Sequence, residues 1–257
     1  MSGRLSDDTA VTRTPDGGYT ADLSPDWEIW GPAGGYLASV ALRAAGLATG
    51  RARPAAITAH FLGVGRSGPI EVSVETNRET KVATSVTVRL TQDGRPWLTA
   101  TVWGVDDGLA GLEHVTDRRP TDLPDPDGIA SVAERAGDDV GPPHPFWRNL
   151  DIRPLTWVED WERRPATEPE IISWYRFVAD ETPADPWADA CRSLILIDLD
   201  GWPAAGRAHV GDLDVYAPTI EVTARFVGDT TGEPWLLGHA EAPVASGGLI
   251  AATSRIW

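Results

Sequence analysis

The segment between residues 54 and 106 alternates apolar and polar positions in the manner of consecutive β-strands. Residues 70–75 read Ile-Glu-Val-Ser-Val-Glu, and residues 86–91 read Val-Thr-Val-Arg-Leu-Thr. A period of two is typical of a strand that buries one face. Asp93-Gly94 then supplies the sequence of a tight hairpin turn, and Trp97–Trp103 forms a return strand. We therefore predict an antiparallel meander in this part of the chain.

Upstream of the meander the spacing of apolar residues changes to that of a helix. Residues 31–48 read GPAGGYLASVALRAAGLA, in which Tyr36, Val40 and Leu47 recur at helical intervals after a Gly-Pro start. The first half of the chain is therefore predicted to run strand, helix and then meander.

Residues 107–150 differ in character from the sequence on either side. They are rich in aspartate and contain six prolines: Pro120, Pro124, Pro126, Pro142, Pro143 and Pro145. Such a composition favours a linker rather than a packed element.

The second half of the chain repeats the first. Residues 58–69 align without a gap to residues 223–234, and five of the twelve pairs are identical, where chance gives roughly one. An internal repeat of this kind indicates one structural unit used twice. We expect the two units to have the same fold and their sheets to join edge to edge, with the helix at 34–48 packed on the first sheet.

Composition excludes some classes of partner and site. The chain has 22 basic against 38 acidic residues, a formal charge of −16, which argues against nucleic acid or an anionic membrane surface. Cys191 is the only cysteine, so a disulfide framework and a cysteine zinc site are excluded, and no HxxxH or HExxH metal spacing occurs. The first residues lack an apolar signal region and no run of 18 apolar residues occurs, so a cytoplasmic protein without a membrane span is predicted.

The order of several stretches resembles the acyl-CoA thioesterase II-like (TesB-like) double-hotdog family. In the first half these are GGYLASVALRAA, AITAHFLGVGRSGPIEVSVE and VRLTQDGRP; in the second they are LILIDLDGW, APTIEVTARFVG, EPWLLGHAEAP and SGGLIAATSRIW. The resemblance covers almost the whole chain outside the linker. It implies an α+β double hotdog, with an N-terminal hotdog at 1–110, a linker at 111–149 and a C-terminal hotdog at 150–257. It also implies hydrolysis of an acyl-CoA to a free acid and CoA, without a bound cofactor, by a homodimer.

The resemblance further implies a site in the second half, in which an Asp, a Thr or Ser, and a Gln surround the attacking water. By position the Asp falls on Asp198 and the Thr on Thr219, whereas the Gln of the last strand falls beyond Trp257.

The residues themselves support Asp198 on physical grounds. In a helix over 187–202, Asp198 shares an apolar face with Cys191 and Leu194. Partial burial raises the pKa of a carboxyl group toward the range of a general base. The alternative is a carboxylate at a helix end that turns to solvent. Thr219 would orient the water, or would simply open a strand on the same face as the polar Glu221.

Gly34 and Gly35 open the predicted first helix and have two possible roles. Their backbone N–H groups would stabilise the oxyanion formed from the thioester carbonyl, as helix N-termini do for anions. Alternatively, the pair of glycines allows close packing of the helix on the sheet.

The repeat also leads to an expectation about the end of the chain. Residues 249–257 match the strand at 86–90, but no counterpart follows for the turn and return strand of the first half. Since natural sheets avoid unpaired edges, we expect a further C-terminal segment of about 12–20 residues, one turn and one strand, carrying the Gln.

Two other functions fit the same fold. A hotdog hydratase or dehydratase would use a His with an acid, but His60 has no acidic partner at a telling spacing in the sequence. A binding protein for acyl-thioesters would bind acyl-CoA without turning it over.

Overall fold

The structure is a computed structural model that describes residues 2–116, 118–137, 144–160, 163–179, 182–211 and 213–257. Its first half contains one long helix and six strands. In chain order these elements are α1 (Leu5–Asp8), β1 (Thr12–Arg13), β2 (Tyr19–Leu23), α2 (Gly34–Thr49), β3 (Arg53–Phe61), β4 (Gly68–Glu79), β5 (Ala83–Gln92) and β6 (Arg95–Val105). The strands are antiparallel in the order β1-β2-β4-β5-β6-β3, and α2 packs against β3–β6.

The predicted meander is confirmed, and so is its tight turn. Asp93 and Gly94 both have positive φ angles, 51° and 73°, which is the backbone of a two-residue type I′ hairpin between β5 and β6. Asparagine, aspartate and glycine are the residues that adopt this conformation at least cost.

Short elements occupy the segment that the sequence predicts as a linker. A 3₁₀ turn at Pro126–Gly128 precedes α3 (Val132–Ala136), and a second 3₁₀ turn lies at Pro145–Asn149. The predicted linker residues Pro142 and Pro143 lie outside the described residues.

The second half has the same plan as the first. Its elements are β7 (Leu150–Pro154), β8 (Glu170–Phe177), α4 (Pro186–Leu199), α5 (Gly201–Gly206), β9 (Glu221–Arg225), β10 (Leu236–Ser246) and β11 (Leu249–Ile256). Four of its strands form a separate antiparallel sheet in the order β11-β10-β8-β7. Strands β7, β8, β10 and β11 correspond to β1, β2, β4 and β5. The repeated unit predicted from the sequence and the double hotdog implied by the resemblance are therefore confirmed.

The two halves join through β3 and β9, which are antiparallel neighbours in a seven-stranded sheet. The predicted edge-to-edge junction is therefore confirmed. Among the described strands, β6 has no counterpart in the second half. As a result β9 and β11 each pair on one side only, and the strands of the second half are divided between two sheets.

The core is continuous across both halves because α2 and α4 pack against each other in antiparallel directions. A Cβ atom on Gly35 would lie 2.7 Å from Cα of Ile195, and one on Gly46 would lie 2.6 Å from the Trp187 ring. These two glycines therefore let the helices approach at both ends of the contact. Cys191, near the middle, is fully buried.

The helix predicted over 187–202 is wrong at its C-terminal end. Helix α4 ends at Leu199, and Trp202 belongs to the separate short helix α5. Pro203 explains the break, since it has no N–H to donate to the carbonyl four residues earlier.

Candidate active site

Asp198 lies in the last turn of α4, where that helix meets the first turn of α2. The Gly35 N–H donates a hydrogen bond of 2.7 Å to Oδ2 of Asp198. The first N–H groups of a helix have no partner within the helix and carry partial positive charge. The N-terminus of α2 therefore binds one oxygen of this carboxylate and fixes its orientation.

The other carboxylate oxygen of Asp198 is in a different situation. Oδ1 is buried and, among the described residues, has no hydrogen bond of normal geometry. Burial raises the pKa of Asp198 from its ordinary value to about 6, against the opposing effects of the Thr219 hydroxyl and the Gly35 N–H. The site therefore holds an oriented carboxylate, one oxygen of which lacks a hydrogen bond of normal geometry, with an affinity for protons suited to work near neutral pH.

Thr219 lies just before β9 and is exposed. The carbonyl of its neighbour Ile220 accepts a 2.9 Å hydrogen bond from the Phe61 N–H, which holds this segment against the end of β3. The strand begins only at Glu221, so the alternation of faces that argued against Thr219 does not extend to it. The structure thus brings Thr219 beside Asp198, although no sequence pattern links them.

Gly34 and Gly35 are both close to Asp198. A Cβ atom on Gly34 would lie 2.7 Å from Oδ2 of Asp198 and 3.1 Å from the ring of Phe61. Both glycines therefore let α2 approach its neighbours closely, Gly34 at Phe61 of β3 and Gly35 at α4. In this structure the Gly35 N–H donates to Asp198 rather than being left for a substrate carbonyl.

Asp200 was not singled out from the sequence as a site residue, and it is the second perturbed carboxyl group near this helix end. Burial raises its pKa to about 6, and the Tyr175 hydroxyl donates to it. The same Asp200 accepts the Ala204 N–H through its carbonyl. These contacts anchor the break between α4 and α5, immediately after the turn that carries Asp198. No local pattern indicates this pair, because Tyr175 is on a strand 25 residues away.

The repeat does not produce a second site of this kind in the described residues. When residues are counted from the start of each helix, Trp187 of α4 corresponds to Gly35 of α2, and Gly46 of α2 corresponds to Asp198 of α4. The indole of Trp187 lies against Gly46 and donates to the Arg51 carbonyl at 2.9 Å. An aromatic ring thus fills the space where a carboxylate would be needed.

His60 has an acidic partner after all, contrary to the sequence analysis. Its Nδ1 lies 3.5 Å from a carboxylate oxygen of Glu221, the residue opposite it in the β3–β9 ladder. Both side chains are about half exposed, at 49% and 51%. This is an exposed cross-strand pair, and its contribution to stability is small.

Comparison with known proteins assigns the family. The profile of the acyl-CoA thioesterase N-terminal domain matches residues 23–105, and that of the acyl-CoA thioesterase C-terminal domain matches residues 120–257. The chain belongs to the acyl-CoA thioesterase family. Hydrolysis of acyl-CoA thioesters is therefore its activity, and the hydratase alternative is not favoured.

Solved structures agree with the fold of this thioesterase. It is similar to a hot dog protein of unknown function from Alicyclobacillus acidocaldarius, with 20% identity, TM-score 0.81, and coverage of 100% of this chain and 92% of the other. A putative thioesterase II from Thermobifida fusca is 22% identical, with TM-score 0.77 and coverage of 99% of this chain and 96% of the other. The acyl-CoA thioesterase II TesB2 from Mycobacterium marinum is 17% identical, with TM-score 0.75 and coverage of 98% of this chain and 90% of the other. No curated protein matches the chain.

Two further features of the thioesterase concern the described residues only. They contain no helix long and apolar enough to cross a membrane. They also contain no group of three or more His, Cys, Asp or Glu side chains arranged to hold a metal ion.

Proposed function

We propose that Asp198 is the general base of this thioesterase and that Thr219 positions the attacking water. One observation carries the proposal. The carboxylate of Asp198 is oriented through Oδ2 by the Gly35 N–H, while the buried Oδ1 has no hydrogen bond of normal geometry in the described residues. A water bound to Oδ1 would therefore meet an acceptor that is fixed in place and lies beside the Thr219 hydroxyl.

The reaction follows from this arrangement. A water gives one proton to Asp198 as its oxygen bonds to the thioester carbonyl carbon, producing a tetrahedral oxyanion. When the carbonyl re-forms, the carbon–sulfur bond breaks and the protonated Asp198 returns the proton to the CoA sulfur. The products are a free acid and CoA, and Asp198 ends as a carboxylate.

The pKa of Asp198 suits both halves of this cycle. A carboxyl group with a pKa of about 6 is mostly ionised at pH 7, yet it is a stronger base than an ordinary aspartate. The Thr219 hydroxyl, which lowers this pKa, can also accept from or donate to the same water.

The oxyanion needs hydrogen-bond donors of its own. Since Gly35 donates to Asp198, we assign the neighbouring Gly34 N–H, also in the first turn of α2, to the developing negative charge. In this proposal the N-terminus of α2 is the oxyanion site, as one of the two interpretations from the sequence has it, and Gly34 alone has the role.

We also propose a homodimer that acts in the cytoplasm in lipid metabolism. The resemblance to double-hotdog thioesterases supports the dimer and the acyl-CoA metabolism. The single, buried Cys191 fits a reducing compartment. Light scattering of the purified protein in solution checks the dimer.

A thiol-release assay over a panel of acyl-CoA substrates tests the proposed activity. The proposal expects stoichiometric release of CoA and free acid from at least one saturated acyl-CoA. Binding of acyl-CoA without thiol release would indicate a binding protein. Hydration of an enoyl-CoA without release of CoA would indicate a hydratase instead.

A further inference from the structure

Two exposed aromatic rings lie on the segments that lead into the candidate active site. Trp30 is 62% exposed and Tyr216 is 59% exposed, yet their ring centroids are only 4.7 Å apart. Trp30 comes from the first half of the chain and Tyr216 from the second. Exposed aromatic rings that contact one another form a contiguous apolar patch, and such patches are characteristic of binding surfaces.

The positions of these rings tie them to the reacting atoms. Trp30 is four residues before Gly34, and Tyr216 is three residues before Thr219. A chain of four residues spans at most about 13 Å between Cα atoms, and one of three residues about 10 Å. Both rings are therefore held within a short reach of the Asp198 carboxylate, and they contact each other beside the site.

The surface around the rings is also apolar. The loop that carries Trp30 lies against Val64, because a Cβ atom on Gly31 would be 3.1 Å from the Val64 side chain. Val64 is 70% exposed, and Ile220, next to Thr219, is 62% exposed. We call the four side chains Trp30, Val64, Tyr216 and Ile220 the aromatic mouth.

We propose that the aromatic mouth binds the acyl group of the substrate and selects acyl-CoA molecules with an extended or aromatic apolar acyl group over acetyl-CoA. The inference rests on the thioesterase function proposed above. The acyl group is attached to the carbon that the water attacks, so it must lie close to Asp198. Of the parts of an acyl-CoA, it is also the one whose burial against apolar rings is favourable.

The other parts of the substrate do not fit the aromatic mouth. The pantetheine arm carries amides that need hydrogen-bond partners, and the nucleotide end carries phosphates that need basic groups. The four residues that define the mouth offer neither a charge nor, apart from the Tyr216 hydroxyl and the Trp30 indole N–H, a polar side-chain group. The adenine ring is separated from the sulfur by the whole pantetheine arm and so lies far from residues this close to Asp198.

Binding measurements in the Asp198→Asn background separate this inference from the proposed activity, because they need no turnover. Titration calorimetry of the full chain with octanoyl-CoA, benzoyl-CoA and acetyl-CoA gives the three Kd values. Trp30→Ala and Tyr216→Ala are each expected to raise Kd for octanoyl-CoA or benzoyl-CoA about tenfold and to leave that for acetyl-CoA unchanged. The lower of the Kd values for octanoyl-CoA and benzoyl-CoA shows whether an alkyl chain or an aromatic ring binds better to the aromatic mouth.

Matched variants exclude a general effect on folding. Trp103→Ala removes another partly exposed tryptophan, at 36%, from β6 and is expected to change none of the three affinities. Trp30→Phe, which keeps an aromatic ring, is expected to retain most of the octanoyl-CoA affinity. Equal weakening of all three ligands by Trp30→Ala, or no weakening, overturns the inference.

Two other outcomes are equally informative. If Trp30→Ala changes the oligomeric state and no Kd, the mouth is a contact between copies of this chain and the inference is overturned. If the wild-type protein releases no thiol but Trp30→Ala still weakens octanoyl-CoA selectively, the proposed hydrolysis fails and the aromatic mouth stands.

Discussion

Thr58 and Thr223 face each other across the junction of the two halves, with their hydroxyl oxygens 3.1 Å apart. They are also equivalent residues of the sequence repeat, 165 positions apart. The pairs on either side show the same symmetry. Ile57 lies opposite Ala224, the repeat equivalent of Ala59, and Ala59 lies opposite Val222, the repeat equivalent of Ile57. A local twofold axis therefore passes through this pair, and the two halves meet through the same strand.

This junction predicts that the chain unfolds as one unit. Strand β9 belongs to the sheet of the first half, and the core that includes Val40 and Leu194 is shared by both halves. We expect a single calorimetric transition whose van't Hoff and calorimetric enthalpies agree. Two resolved transitions, or a stable isolated first half with native-like spectra, would contradict this expectation.

The two glycines at the start of α2 are predicted to respond differently to alanine. In Gly34→Ala the new methyl group meets Oδ2 of Asp198 at 2.7 Å, so the carboxylate must move. We expect kcat to fall on the order of 100-fold with little loss of stability, since displacements near 1 Å have effects of that size.

Gly35→Ala meets backbone rather than a side chain, because its Cβ would lie 2.7 Å from Cα of Ile195. We expect the helices to be forced apart and the free energy of unfolding to fall by about 1–3 kcal/mol. Gly228→Ala is the control, since nothing lies within 4 Å of its Cβ position. Steady-state kinetics and thermal unfolding of the three variants measure these effects. If Gly34→Ala and Gly35→Ala changed kcat and stability to the same extent, the predicted difference between the two glycines would be refuted.

The raised pKa of Asp198 predicts how stability depends on pH. The native pKa is about 6, whereas an unfolded aspartate titrates near 3.9. The native state therefore favours the protonated form, and stability is full below about pH 4 and declines as the pH rises through 6. Asp198→Asn removes this decline, so it should be more stable than wild type at pH 8, by at most about 3 kcal/mol.

Denaturant unfolding at pH 4 and pH 8 measures this difference. The excess stability of Asp198→Asn should shrink toward zero at pH 4, where Asp198 is protonated in the native state and about half protonated in the unfolded chain. Asp200 has a similar native pKa but is present in both proteins, so its effect cancels in the comparison. An Asn variant that is less stable than wild type at pH 8 would show that the carboxylate is not buried at a cost.

Thr219 offers a test that a purely structural residue would not pass. Its hydroxyl lowers the pKa of Asp198, so Thr219→Val should raise that pKa and move the acidic limb of the kcat/KM profile to higher pH. Thr219→Ser keeps the hydroxyl and should keep the limb in place. A lower rate in Thr219→Val with an unchanged pH profile would limit Thr219 to orienting the water or to folding.

The sequence predicted the first half of the fold well because its signals are local. The alternation at 70–75 and the Asp93-Gly94 turn each act over a few neighbouring residues. The twofold junction was also accessible, since the repeat itself identifies the strand at Thr223. The end of α4 was not predicted correctly, because the apolar spacing continues to Trp202 whereas Pro203 has no N–H to donate to the Leu199 carbonyl.

The sequence predicted which residues form the candidate site but not how they contact one another. Asp198, Thr219, Gly34 and Gly35 were all singled out, and the structure brings them together. Their relation was not predictable, because Gly35 and Asp198 are 163 residues apart and the hydrogen bond between them depends on how two helices cross. The partner of His60 was missed for a similar reason, since Glu221 meets it only across the junction of the halves.

The rate of thiol release by Asp198→Asn, compared with wild type under saturating acyl-CoA, tests the central claim most directly. Asparagine can still accept the Gly35 N–H but cannot take a proton from water. The account predicts that kcat falls by roughly two to four powers of ten, the usual scale of acid–base assistance, while the protein remains folded. Equal turnover by the Asn variant and the wild type would contradict it and would place the base of this thioesterase elsewhere.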